Sequence, residues 1–189
     1  LTVERNRAAE TLNHINMQMT NQSIINNNAT TMHEGAHQIS FNMGIQTRAV
    51  DYPMWFSEGL ACCFEVEDAA GHRGPALINY GRVEPLKKAL KDETLLPVDR
   101  FIVAAMPSTS DTTAITLQYA EGWALFHYLY KFQRDGMEKY LMAYKAHAPI
   151  RAISADERKV IFMKAFGNDL DSLNKKFVAY VKSLPAKAN

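Results

Sequence analysis

The segment from Thr112 to Arg134 constrains the fold more than any other part of this chain. It carries Ile115, Leu117, Trp123, Leu125, Phe126 and Leu129 with no proline, and its apolar residues fall on most sides of a helix. A helix without a polar face needs partners all round, so this one belongs at the centre of a helical domain. The flanking sequence supplies those partners. Pro53 opens a helix reaching about Glu65, a short helix covers Glu84 to Lys91, and the central helix should stop near Gly136. Ser154 and Glu157 have capping-box spacing ahead of Val160, Ile161 and Ala165, with Gly167 as the stop. Leu170, Leu173, Phe177, Val178 and Val181 give a last amphipathic helix before Pro185. No strand of useful length is visible. The expected fold class is mainly α, and 47% hydrophobic residues in 189 suffice for one core.

The N-terminal part reads as two helices. Ala8, Leu12, Ile15 and Met19 repeat along one face of the first. The Asn-rich stretch Asn21 to Asn28 interrupts it and offers caps for a second helix, from about Thr30 to Met43, with Gly44 as its stop. The organisation is then an N-terminal helix and Asn-rich connection over 1–29, the main domain over 30–183, and a tail over 184–189. Glu67 to Asn79 reads as a long loop, and Pro107 to Asp111 as a connection. Because the chain opens on Leu1 with no targeting segment in view, it reads as a piece of something longer.

Charge and cysteine usage exclude several function classes. Twenty-one Lys+Arg against 20 Asp+Glu leave a net charge of +1, too little positive field to hold nucleic acid or an anionic membrane. The longest apolar runs, such as Phe101 to Met106, are too short to span a bilayer. Cys62 and Cys63 are neighbours, and side chains about 100° apart on a helix do not reach disulfide geometry. They read as two small buried apolar groups.

One segment carries chemistry: His33-Glu34-Gly35-Ala36-His37. Two histidines at i and i+4 lie one above the other on a helix, so their imidazoles can converge on one metal ion. Glu34 falls roughly 60° around the helix from His37 and can lean toward a metal-bound water without displacing a ligand. Met32, Ala36, Ile39 and Met43 form an adjoining stripe that should anchor the helix to the core. A chain of this composition acquires HExxH by chance about once in a hundred cases, and the motif gives only two of the three ligands a catalytic zinc takes. A candidate for the third stands in Trp55-Phe56-Ser57-Glu58-Gly59-Leu60-Ala61, where Glu58 should project from the second turn of the next helix.

With that glutamate the chain resembles the gluzincin metallopeptidases, the thermolysin-like, peptidase-MA group, in which HExxH is followed by a Glu from a second helix. It is closest to an uncharacterised bacterial branch with HExxHQxxFNxG and PxWxxEGLAxxFE. Those patterns stand here as His33-Glu34, His37-Gln38, Phe41-Asn42, Gly44, Pro53, Trp55, Glu58-Gly59-Leu60-Ala61 and Phe64-Glu65. The likeness continues through Ile78-Asn79, Arg82, Tyr119 to Leu125 and Ala165-Phe166-Gly167, covering roughly residues 30 to 183.

The resemblance implies one Zn²⁺ per chain held by His33, His37 and Glu58, with Glu34 as general base and peptide or protein as substrate. It implies a Tyr or His from a later helix as oxyanion stabiliser, and Tyr119 is the candidate. Families of this kind often act outside the cytoplasm. Two features depart from the pattern. The β-strand that usually precedes the HExxH helix and pairs with substrate is small or missing here. The position four residues after Glu58, often an Asp that supports a ligand, is Cys62, which leaves Glu65 or Glu121 to orient a ligand histidine. The alternative function is a catalytically silent metal-binding or protein-interaction module on the same scaffold. Elsewhere the bland readings hold: His14, His127 and His147 as surface or satisfied core groups, and His72 as part of a solvated loop. Arg82 reads as a loop tie, and Phe126, Tyr128, Tyr130 and Phe132 as core packing.

Overall fold

In a computed structural model, which describes residues 2–106, 110–147 and 152–186 and omits the side chains of 2–6, 8 and 9, the chain is helical almost throughout. Its elements are α1 (Thr2–Asn42), α2 (Met54–Cys62), α3 (Tyr80–Lys91), α4 (Val98–Phe101), α5 (Thr112–Phe132), α6 (Arg134–Lys145), α7 (Ala155–Phe166) and α8 (Leu170–Ser183). Among the described residues the only β pairing is an isolated bridge between Glu67 and Arg73. The expected mainly α fold is what forms.

The apolar α5 is the axle. Every residue from Ala120 to Leu129 is buried, with α2, α3, α6 and α8 packed against it. Asp111 caps its first turn by accepting from the amides of Thr113 and Ala114. It ends at Gln133, where the backbone turns out of the helix, and α6 begins at once. The expected stop at Gly136 is therefore corrected. Gly136 lies inside α6, where a Cβ would come within 2.6 Å of the Phe166 ring. That glycine answers a packing need between α6 and α7, and no turn.

α2 lies closer to α5 than side chains normally allow. A Cβ on Gly59 would stand 2.4 Å from the Gly122 carbonyl oxygen and 2.8 Å from Phe126 Cβ. Trp55 and Phe56 of α2 then enter an aromatic cluster with Tyr140 of α6 and Phe162 and Phe166 of α7. The capping box at Ser154 and Glu157 forms as expected, and Gly167 ends α7 at φ 101°. The connection expected at Pro107 to Asp111 lies mostly outside the described residues, as do residues 187–189 of the expected tail.

Three readings of the N-terminal region are corrected. α1 runs unbroken through Asn21 to Asn28 and across the expected boundary at residue 29. Asparagine is only a weak helix former, and no glycine or proline stands before Gly35 to stop propagation. Side chains feed back into the helix instead, with Gln22 bonding Asn26 and Thr30 bonding the Asn26 carbonyl. Second, Leu12, Ile15 and Met19 are exposed, so that stripe meets no partner among the described residues. Third, Met32, Ile39 and Met43 face solvent, and of the expected anchoring stripe only Ala36 is buried. The inward face of α1 is the one bearing His33, Ala36 and Ser40, locked by a buried Ser40–Gln46 hydrogen bond of 2.8 Å. Phe132 also departs from core packing and is 56% exposed.

The two glycines at the α2–α5 crossing should respond oppositely to alanine. Gly122→Ala meets nothing nearer than 3.6 Å and gains helix propensity, so it should be neutral or stabilising by up to about 1 kcal/mol. Gly59→Ala must force the helices apart and should cost about 2 kcal/mol or more. Urea unfolding of both variants checks the pair, and equal effects would contradict the close approach.

Candidate metal centre

His33 and His37 stand one turn apart on the inward face of α1, and Glu58 reaches them from α2. Pro53, with φ −61° and extended ψ, sets the entry of α2. His33 Nε2 lies 3.0 Å and His37 Nε2 3.4 Å from the same oxygen, Glu58 Oε2. The two Nε2 atoms are 3.3 Å apart. With metal–ligand bonds of 2.0–2.1 Å, one edge of a tetrahedron around zinc is about 3.3 Å. The three donor atoms thus outline a face of the expected size, made of the two imidazoles and one carboxylate that zinc takes. The residues fit the ion.

The electrostatics point the same way. Burial works against a charge on His33, but its bonds to Glu58 and Glu65 outweigh that and raise its pKa to about 9. Burial also resists ionisation of Glu58, yet the two histidines pull its pKa down to about 2. A carboxylate and converging imidazole nitrogens favour positive charge between them, whether a proton or a metal ion supplies it.

A second set of donors, His33 Nδ1, Cys62 Sγ and Glu65, also comes within ligating reach. It is the weaker candidate. Burial foremost pushes the Cys62 thiol well above its ordinary pKa, and a thiol is a poor ligand without losing its proton. Glu65 is already bonded by Asn79 and Arg82. The better-placed candidate set is His33, His37 and Glu58.

The set opens on a cleft of about 990 Å³. One wall is α1, from Gln22 through Asn26 and Thr30 to His33 and Glu34, and the other runs from Glu65 to Asp68 and from Ala76 to Arg82. Tyr119 lines it as well. The tyrosine ring lies 5.8 Å from that of His33, with the Arg82 guanidinium 5.4 Å over its own centre. Burial first, then the Glu58 charge, pushes its hydroxyl up to about 12, so it stays a hydrogen-bond donor. Glu34, Tyr119 and, of the three donors, His33 line this one cleft.

The remaining titratable groups sort cleanly. The sequence left open whether Glu65 or Glu121 reaches one of the two histidines, and Glu65 is the one in contact, 3.0 Å from His33 Nδ1. Glu121 faces the opposite way, accepting the Leu96 amide at 2.8 Å. Arg82 is a tie, bonded to Glu65. His72 is exposed and paired with Asp68, His14 is exposed, and His127 is buried against Tyr180. Cys62 and Cys63 are buried and unbridged. What sequence reasoning missed is the cleft wall upstream of His33, because an Asn-rich stretch read as a break concealed it.

The model of a family described as "protein of unknown function (DUF1570)" matches residues 27–151, about two thirds of the chain. The chain belongs to this family. No curated protein and no solved structure matches it. The matched span contains every metal-set residue together with Glu34, Glu65, Arg82 and Tyr119.

Glu121 yields a prediction that separates it from the centre. Burial raises its pKa from 4.5 to about 7. The folded state therefore holds this proton more tightly than the unfolded one, and stability falls as pH rises from 4.5 through 7. Glu121→Gln keeps the acceptor for Leu96 and removes the buried charge. At pH 8 it should be more stable than the parent by on the order of 2–3 kcal/mol, the gain shrinking toward pH 4.5, with metal binding unchanged. Urea unfolding across that pH range is the check. Buried His127, lowered to about 4, bends the parental profile the other way below pH 6.5, so the difference between the two proteins is the quantity to read.

Proposed function

We propose that this DUF1570 chain is a zinc-dependent metallopeptidase that hydrolyses peptide bonds. The observation that carries the reading is the convergence of His33, His37 and Glu58 at ligand spacing, beside a cleft lined by His33, Glu34 and Tyr119. Zinc held by these residues would polarise a peptide carbonyl and acidify a water. Glu34, exposed beside His33, accepts the water's proton and returns it to the leaving amine. Tyr119 directs its O–H toward the negative charge that develops on the carbonyl oxygen. The cleft volume lies at the top of the usual range for ligand pockets, which suits a length of polypeptide.

Protein purified without chelators should carry close to one zinc per chain by elemental analysis, and His33→Ala should lose it. Glu34→Gln and Tyr119→Phe should both keep the metal. Cleavage of a mixed peptide library should fall at least a hundredfold in the first and about ten- to a thousandfold in the second. A wild type with no zinc, unmoved in melting temperature by added zinc, would overturn the metal reading. Zinc retained without any cleavage would favour the silent metal-binding module.

A further inference from the structure

Glu65 lies outside the His33, His37 and Glu58 set, yet its carboxylate is held by His33, Asn79 and Arg82. Its side chain is 10% exposed. Oε1 faces His33 Nδ1 at 3.0 Å and Arg82 Nη2, while Oε2 faces Arg82 Nε at 3.0 Å and Asn79 Nδ2 at 2.8 Å. Four donors meet two oxygens, which fills the lone-pair capacity of a carboxylate. The arginine fork and the asparagine amide hold both oxygens of the carboxylate that faces His33.

That arrangement fixes the histidine. An ionised carboxylate only accepts, so His33 Nδ1 must be the donor and carry the proton. With Nδ1 so engaged, the nitrogen left to offer a lone pair to a cation is Nε2, the atom directed at Glu58 and His37. Asn79 has a second bond, to the carbonyl of Cys62 at 3.0 Å. It therefore joins the end of α2 to the start of α3 and closes the base of the loop between Glu65 and Asn79. Residues of that loop form the cleft wall facing α1. One carboxylate thus joins the orientation of His33 to the foot of the cleft wall.

We infer that Glu65 is a positioning residue for His33, that Arg82 and Asn79 act on the metal set only through it, and that this clamp sets the affinity of the site for zinc. The inference rests on the zinc reading above. Carboxylates that orient a ligand histidine change metal affinity by ten- to a hundredfold when altered. Glu65→Gln puts an amide N–H₂ against the donors Arg82 and Asn79, and Arg82→Lys keeps the charge but loses the fork.

The test uses the full chain and zinc alone, with affinity read by competition against a chromogenic chelator and the His33 ring read by ¹⁵N-edited NMR. Wild type should show a downfield, slowly exchanging His33 Nδ1 proton. Glu65→Gln should lose ten- to a hundredfold in zinc affinity and release that proton to fast exchange. Arg82→Lys should lose several-fold, and Glu65→Asp should recover part of the loss. A merely structural Glu65 would lower the melting temperature of the variants while leaving zinc affinity within twofold and the Nδ1 proton in place, and that result overturns the inference. If Glu65→Gln fails to fold, Arg82→Lys decides by the same two readouts. A wild type that binds no zinc defeats the metal reading instead. The Nδ1 proton in that same metal-free sample still decides the orientation of His33, and its absence would overturn the positioning role.

Discussion

Glu58 stands where it does because Gly59, beside it, lets the backbone of α2 press onto that of α5. With a carbonyl oxygen only 2.4 Å from where a Cβ would sit, no other residue fits that position without moving a helix. The contact is held from the far side by Trp55 and Phe56, whose rings are clasped by α6 and α7. A glutamate fixed by its own helix, and a helix fixed by backbone contact, needs little further ordering when an ion arrives. Preorganisation of this kind is what a site for a small cation requires, since positional slack of an ångström costs ligand geometry directly.

The same economy governs His33. It is buried, which on its own disfavours charge, and it lies between two carboxylates that favour it. The two carboxylates have different duties. Glu58 shares the Nε2 side, where His37 also points, while Glu65 occupies Nδ1 and is itself saturated by Arg82 and Asn79. The inward face of α1 is therefore both the packing face and the reactive face. Among the described residues no separate apolar stripe anchors the helix, and the histidines are part of what holds it down.

The parts of this account legible in the sequence are those where a short pattern implies one geometry. HEGAH on a helix stacks two imidazoles, EGLA after Pro53 presents a carboxylate, and Ser154 with Glu157 starts a helix. The illegible parts depend on competition between distant elements. Asn21 to Asn28 looks like punctuation, but punctuation needs a residue that cannot be helical, and none is present. Met32, Ile39 and Met43 look like a core stripe, but which face turns inward is decided by α2, and no periodicity within α1 records that. Gly136 looks like a helix stop because its reason, the Phe166 ring, lies in another helix. Glu65 was one of two carboxylates that the chain order left equivalent, and only the placement of Asn79 and Arg82 distinguishes them.

The central claim is that a metal ion is held by two imidazoles and the Glu58 carboxylate, and zinc K-edge X-ray absorption of the zinc-loaded protein tests it most directly. The account predicts a first shell of nitrogen and oxygen only, at about 2.0–2.1 Å, with the multiple-scattering signature of two imidazole rings. A sulfur scatterer at about 2.3 Å would move the ion to the Cys62 side of His33 and contradict the account, as would a shell of water oxygens without imidazole scattering.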